Sequence, residues 1–181
     1  MMSRGVLGVS SGRNVPGTHR PARNRSTEWG HPMLTNVTRR RLATEAMNQR
    51  VMIVEDEFLI ALDVAETIEA MGLKVAGFAN ARKHALALAA YADIALVDVN
   101  LSDGRTGPEI GRELAEQYGI TVVFMTGNPD DVEAGVEGSL GVLTKPVMPD
   151  VVEKTIDYAV ANRLGGMAIV PRELKVFPQN H

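Results

Sequence analysis

From residue 51 onward, short apolar runs alternate with longer stretches in which apolar side chains recur every three or four positions. The short runs, 51–54, 74–78, 94–98, 121–125 and 140–144, are four or five residues long and rich in Val, Ile, Leu and Phe, which predicts buried strands. The stretches between them predict helices. The first spans about 57–71, with Phe58, Ala61, Leu62, Ala65 and Ile68 on one face and Gly72 ending it. A second runs from about 81 to 90 behind Asn80 as N-cap, and a third from 107 to 118 behind Thr106, with Pro108 in its first turn. Asn128-Pro129 predicts a short helix ending near Gly135, and Pro149 opens a last one to about residue 162. Strand and helix thus alternate five times. That order implies a doubly wound, five-stranded parallel α/β sheet with right-handed crossovers and helices on both faces.

The polar residues that end the strands carry the chemistry. In an open α/β sheet the working crevice lies beyond the carboxyl ends of the strands. Strand 51–54 runs into Glu55-Asp56, strand 94–98 ends on Asp98, strand 121–125 runs into Thr126-Gly127, and strand 140–144 runs into Lys145-Pro146. Three carboxylates close together repel one another unless a cation joins them. Hard oxygen donors favour Mg²⁺, which would offset charge on an attacking carboxylate and an incoming phosphoryl group. Asp98 could then act as a nucleophile, Lys145 could pair with a phosphoryl oxygen, and the Thr126 hydroxyl and Gly127 N–H could donate to the others. Taken singly, each residue has a plainer reading: a solvated loop, a turn or a helix-end charge. Their joint placement at successive strand ends does not.

These motifs resemble the receiver domain of bacterial two-component response regulators over about residues 49–163. The resemblance rests on Ile53-Val-Glu-Asp-Glu57, Leu96-Val-Asp-Val-Asn-Leu101, Phe124-Met-Thr-Gly127 and Leu143-Thr-Lys-Pro146. It implies a flavodoxin-like (βα)₅ fold, and Asp98 as acceptor of a phosphoryl group from a histidine kinase or a histidine phosphotransfer protein. It also implies that Glu55, Asp56, Asp98 and the Asn100 backbone carbonyl hold Mg²⁺, that Thr126 reorients toward the phosphate, and that Lys145–Pro146 is a cis peptide. The segment from Phe124 to Pro129 is further similar to an alphaproteobacterial group of stand-alone receivers with a Phe-x-Thr-Gly motif. Three positions depart from the usual pattern: Glu55 stands where Asp is commoner, Ser102 where Pro often follows the acceptor loop, and Val142 where an aromatic usually switches. A β-branched, stiff valine cannot swing a large ring. The signal is therefore expected to pass through the Gly-flanked segment 128–138.

Charge divides the chain. Residues 1–50 hold nine Arg, no Lys and two acids, a net +7, whereas 51–181 hold ten basic and twenty acidic residues, a net −10. Residues 1–48 lack an apolar period and are expected to be a disordered basic extension, dispensable to the domain, with Met47 a plausible start just before the first strand. Residues 164–181 are expected to form a short C-terminal tail, frayed or packed as a strip on the domain, with partner docking as the sharper alternative. They are too few for a helix-turn-helix output module, so output is expected through a downstream protein partner rather than nucleic acid, with no role for membrane and a cytoplasmic location. The absence of cysteine excludes disulfides and thiolate metal sites, and histidines at 19, 31, 84 and 181 do not suggest a zinc site. No apolar stretch approaches the roughly 20 residues of a membrane helix.

Other classes remain to be weighed. A degenerate receiver acting only as an interaction module would not need Glu55, Asp56, Asp98, Thr126 and Lys145 together. An Asp-nucleophile hydrolase would want a second acid two residues after Asp98, where Asn100 stands. The protein is therefore expected to be a phosphoacceptor switch, not an enzyme. A DNA-binding role for the arm would show as a steep salt dependence.

Overall fold

The computed structural model describes residues 36–132 and 134–178. Its centre is a six-stranded sheet in the order β2-β1-β3-β4-β5-β6, formed by Arg50–Val54 (β1), Lys74–Ala79 (β2), Ile94–Asp98 (β3), Thr121–Thr126 (β4), Gly141–Thr144 (β5) and Leu174–Val176 (β6). The first five strands pair in parallel, and β6 joins β5 antiparallel. This is the flavodoxin-like receiver architecture, enlarged by one strand. The strands are almost wholly apolar because both faces are covered: every residue of β3 and all but the first of β1 and β4 are buried.

Helices Phe58–Ala70 (α2) and Pro149–Arg163 (α5) contribute to a core with Val51, Ile53, Leu96, Val123 and Met125 on one face of the sheet. Arg82–Leu88 (α3) and Gly107–Tyr118 (α4) pack on the other face with Met52, Val97, Val122 and Phe124. The alternation of odd and even strand positions between the two cores is the period-two rule of a pleated sheet. Because β1 leads outward to β2 while β3 leads to β4 on the other side, the strand order reverses between β1 and β3. The crevice lies at that reversal.

Five expectations need correction. First, residues 36–47 are helical (α1, Asn36–Met47) rather than disordered. Its last turns carry good helix formers (Arg, Leu, Ala, Glu, Met) and an Arg41–Glu45 pair at 2.7 Å, and Ala46 packs on the core. The expected disorder of the preceding residues lies outside the described range. Second, the tail packs on the domain, one of the two readings expected for it, but part of it is a strand rather than an irregular strip. Leu174 and Phe177 are buried on opposite faces of the sheet. Third, the helix expected after Asn128 is one 3₁₀ turn, Pro129–Val132. Fourth, Phe58 and Leu62 do not belong to the buried face of α2; they are 66% and 37% exposed, and Val64 and Thr67 are buried instead. Fifth, neither expected cap makes a capping bond: Asn80 Oδ1 pairs with His84 Nδ1 at 2.7 Å, and the Thr106 hydroxyl donates to Asp103 Oδ1 at 2.7 Å.

Candidate functional site

Asp98 is the last residue of β3, and Glu55 and Asp56 follow the end of β1 directly. Glu55 follows the buried end of β1, with its N–H on the Ala79 carbonyl at the end of β2, and is itself 3% exposed. Asp98 closes β3 and is 6% exposed. Glu55, Asp56 and Asp98 each place a carboxylate oxygen within 4.8 Å of the others. The Lys145 ammonium, brought in just past β5, donates to Asp98 Oδ2 at 2.6 Å and to Glu55 Oε2 at 2.7 Å. Backbone groups bind the remaining oxygens: Asn100 N–H donates to Asp98 Oδ1 at 3.0 Å, and Glu57 N–H to Glu55 Oε1 at 3.3 Å. Asn100 thus meets Asp98 through its amide.

Burial pushes the Glu55 carboxyl above its usual pKa, helped by the charge on Asp98; the Lys145 hydrogen bond and charge pull it down without overcoming that. Burial also acts against the Lys145 ammonium, but its hydrogen bonds and ion pairs with Asp98 and Glu55 outweigh it and hold its pKa above the usual lysine value.

The hydroxyl of Thr126, fully buried at the end of β4, donates to the Asn128 carbonyl at 3.3 Å and accepts from the Asn128 N–H at 3.1 Å. Gly127 is exposed, and open space surrounds it where a side chain would lie. Asn128 Nδ2 donates to Asp131 Oδ1 at 3.2 Å, and Asn100 Nδ2 to Asp131 Oδ2 at 3.4 Å, so Asp131 ties the β4 loop to the β3 loop. The Lys145–Pro146 peptide is cis. Beside it opens a groove of about 850 Å³, lined on its apolar side by Ile60, Val64, Met125, Val147 and Val152, with Lys145 also among its walls.

Two contributors escaped the sequence reading. Asp131 looks like any loop acid, and only the fold puts it between Asn100 and Asn128. Gly107 opens α4 so close to β3 that a Cβ there would lie 2.0 Å from the Asp98 carbonyl oxygen. Its N–H donates to the Val99 carbonyl at 3.2 Å, which fixes the backbone next to Asp98. A glycine one residue before a helix-opening proline was the available signal.

Residues 51–157 match the model of the response regulator receiver domain. The phyllosphere-induced regulator PhyR of Methylorubrum extorquens is 31% identical over 125 residues, covering 67% of this chain and 46% of that protein. The solution structure of the REC domain of the Erythrobacter litoralis response regulator PhyR aligns at 26% identity with a TM-score of 0.58, covering 67% of this chain and 97% of that one. The anti-anti-sigma factor PhyR of Bartonella quintana aligns at 28% identity with a TM-score of 0.59, covering 72% of this chain and 54% of that one. The chain spans about half the length of the PhyR proteins it matches.

Proposed function

The chain belongs to the response regulator receiver domain family, and from that premise we propose that it accepts a phosphoryl group on Asp98 and passes the signal on by protein–protein contact. The observation that carries this reading is the convergence of three carboxylate oxygens within 4.8 Å, two of the three carboxylates being held by one ammonium. A lone nucleophilic carboxylate would need no such surroundings.

In the proposed step, Asp98 Oδ attacks the phosphorus of a phosphohistidine on a histidine kinase or phosphotransfer protein. The new O–P bond forms as the P–N bond breaks, and the electron pair returns to the imidazole, which takes up a proton. Lys145 stays paired with the acceptor and can also meet a phosphoryl oxygen. Thr126 would leave Asn128 to donate to another, and the N–H of Gly127, an exposed residue, would do the same. The groove that has Lys145 among its walls would give the donor an apolar seat.

The donor set is all hard oxygen, without thiolate or imidazole, and fits Mg²⁺. Glu55, Asp56 and Asp98 would hold it, with the Asn100 carbonyl as a fourth donor. When bound it supplies positive charge against which the carboxylate and phosphoryl oxygens can approach. Among the described residues no helix is long and apolar enough to cross a membrane, and a cytoplasmic location is part of the proposal. The anti-anti-sigma activity in the name of the Bartonella protein belongs to a chain of which the match covers 54%; phosphoryl acceptance is what we extend here.

The test is incubation with acetyl phosphate and Mg²⁺, read by intact mass. One phosphoryl group should be gained, be labile to base, and be lost in Asp98→Asn, whose amide is a very poor nucleophile. Equal labelling of that variant would refute the assignment.

A further inference from the structure

Receivers of the usual pattern carry an aromatic on β5; here that position is Val142, fully buried and unable to swing a ring between core and solvent. The space on that face of the sheet is filled from elsewhere. Phe177, just past β6, is 3% exposed and lies in the core with Phe124, Val132, Val136 and Val142. Its ring centroid is 6.4 Å from that of Phe124 at 45°, and its N–H donates to the Leu140 carbonyl at 3.0 Å. Its ring also lies over Gly135, where a Cβ would meet it at 3.4–3.6 Å and where φ is +80°.

We propose that Phe177, held by the three-residue strand β6, is the aromatic reporter of this domain: it docks on the β4–β5 segment in the resting state and is released from β5 when Thr126 turns to the phosphoryl group. The proposal rests on the phosphoacceptor reading above.

Thr126 now closes a turn on both the N–H and the carbonyl of Asn128. For its hydroxyl to donate to a phosphoryl oxygen, the bond to the Asn128 carbonyl must break. Asn128 opens directly into the 3₁₀ turn Pro129–Val132, and from there the chain runs through Gly135 to Val136. Val132, Gly135 and Val136 are the walls against which Phe177 packs. A full crossover helix would resist such a shift, whereas this link is a single turn followed by a glycine with positive φ. On the other side, β6 is tied to β5 by three residue pairs, Gly141 with Val176, Val142 with Lys175 and Leu143 with Leu174, extended by the Phe177 N–H on the Leu140 carbonyl. A short edge strand is the part of a sheet most easily detached. Its release would open the backbone of β5 to a partner.

Amide hydrogen exchange of the full chain with Mg²⁺, with and without beryllofluoride, tests this, alongside the acetyl phosphate labelling. The expected result is loss of protection at Val176 and Phe177 together with residues 134–139, absent in Asp98→Asn. Phe177→Leu, which keeps the site filled with an apolar side chain, should still label on Asp98 while β6 exchanges quickly with or without beryllofluoride. An adduct that leaves β6 protection unchanged overturns the release and leaves the phosphoacceptor reading standing. Failure to gain a phosphoryl group overturns both.

Discussion

Replacing Lys145 by methionine removes the charge and leaves an unbranched side chain one heavy atom shorter. In the native site that charge faces Asp98 at 2.6 Å and Glu55 at 2.7 Å, with the side chain of Glu55 fully buried and that of Lys145 18% exposed. At an effective dielectric constant of ~20, each contact has a gross Coulomb energy of about 6 kcal/mol. Desolvation of the three ions, several kcal/mol each, offsets most of that. Losing one partner of such a pair typically costs about 3–5 kcal/mol, because the carboxylates stay buried without compensation. The residual exposure of Lys145 places the expected loss near the lower end, about 3 kcal/mol at pH ~8. The cost should shrink in acid, and the sign follows from the two shifts. Glu55 is already raised above its usual value, so its ionisation opposes folding as pH rises through that raised value. Without Lys145 the opposition grows. Lys145 itself is raised, so its stabilisation is fully present below the ordinary lysine range and is lost only as pH rises through its higher folded value. Urea unfolding of both proteins at pH ~5 and ~8 measures the difference. A loss below about 1 kcal/mol at the higher pH, within the range of an exposed pair, would refute the reasoning. So would an equal loss at both.

Mg²⁺ affinity, followed by calorimetry, should fall sharply in Asp56→Ala and should weaken as pH drops through the raised Glu55 value, because protons compete for the same oxygens. Unchanged affinity in that variant would exclude Asp56 as a ligand. Thr155 is fully buried in α5 and its hydroxyl has no hydrogen-bond partner among the described residues, so Thr155→Val should raise stability by about 1 kcal/mol in urea unfolding.

The site was more legible in the sequence than its surroundings, for a physical reason. Glu55, Asp98 and Thr126 each end or follow a short buried run of Val, Ile, Leu, Met or Phe, and Lys145 stands one residue past another; runs of this length, repeated between helical stretches, read as strands covered on both faces. What the sequence hid depends on distant partners. Leu174-Lys-Val176 is too short to signal a strand; it becomes one because β5 offers an open edge. Phe58 fits the apolar stripe of α2 by spacing, yet it stands in the first turn and 66% of it meets solvent. The same holds for α1, whose helix is favoured by local propensity and an Arg41–Glu45 pair rather than by an apolar face. After Asn128, a cap-and-proline start was present, but the glycines at 135 and 138, both at positive φ, leave no length for a helix to grow.

The sixth strand also bears on how the protein comes into being. The family match ends at residue 157, yet Leu174 and Phe177 complete the two cores on either side of the sheet. During synthesis, all five parallel strands and α5 leave the ribosome before the residues that close the sheet. Until residue 177 has emerged, the nascent domain carries a bare β5 edge and a vacant socket beside Phe124. Such an edge invites pairing with a neighbouring chain on the same message. The interval between residue 157 and residue 177 is therefore a window of exposure to misassembly, and a gene cut at the family boundary would make that window permanent.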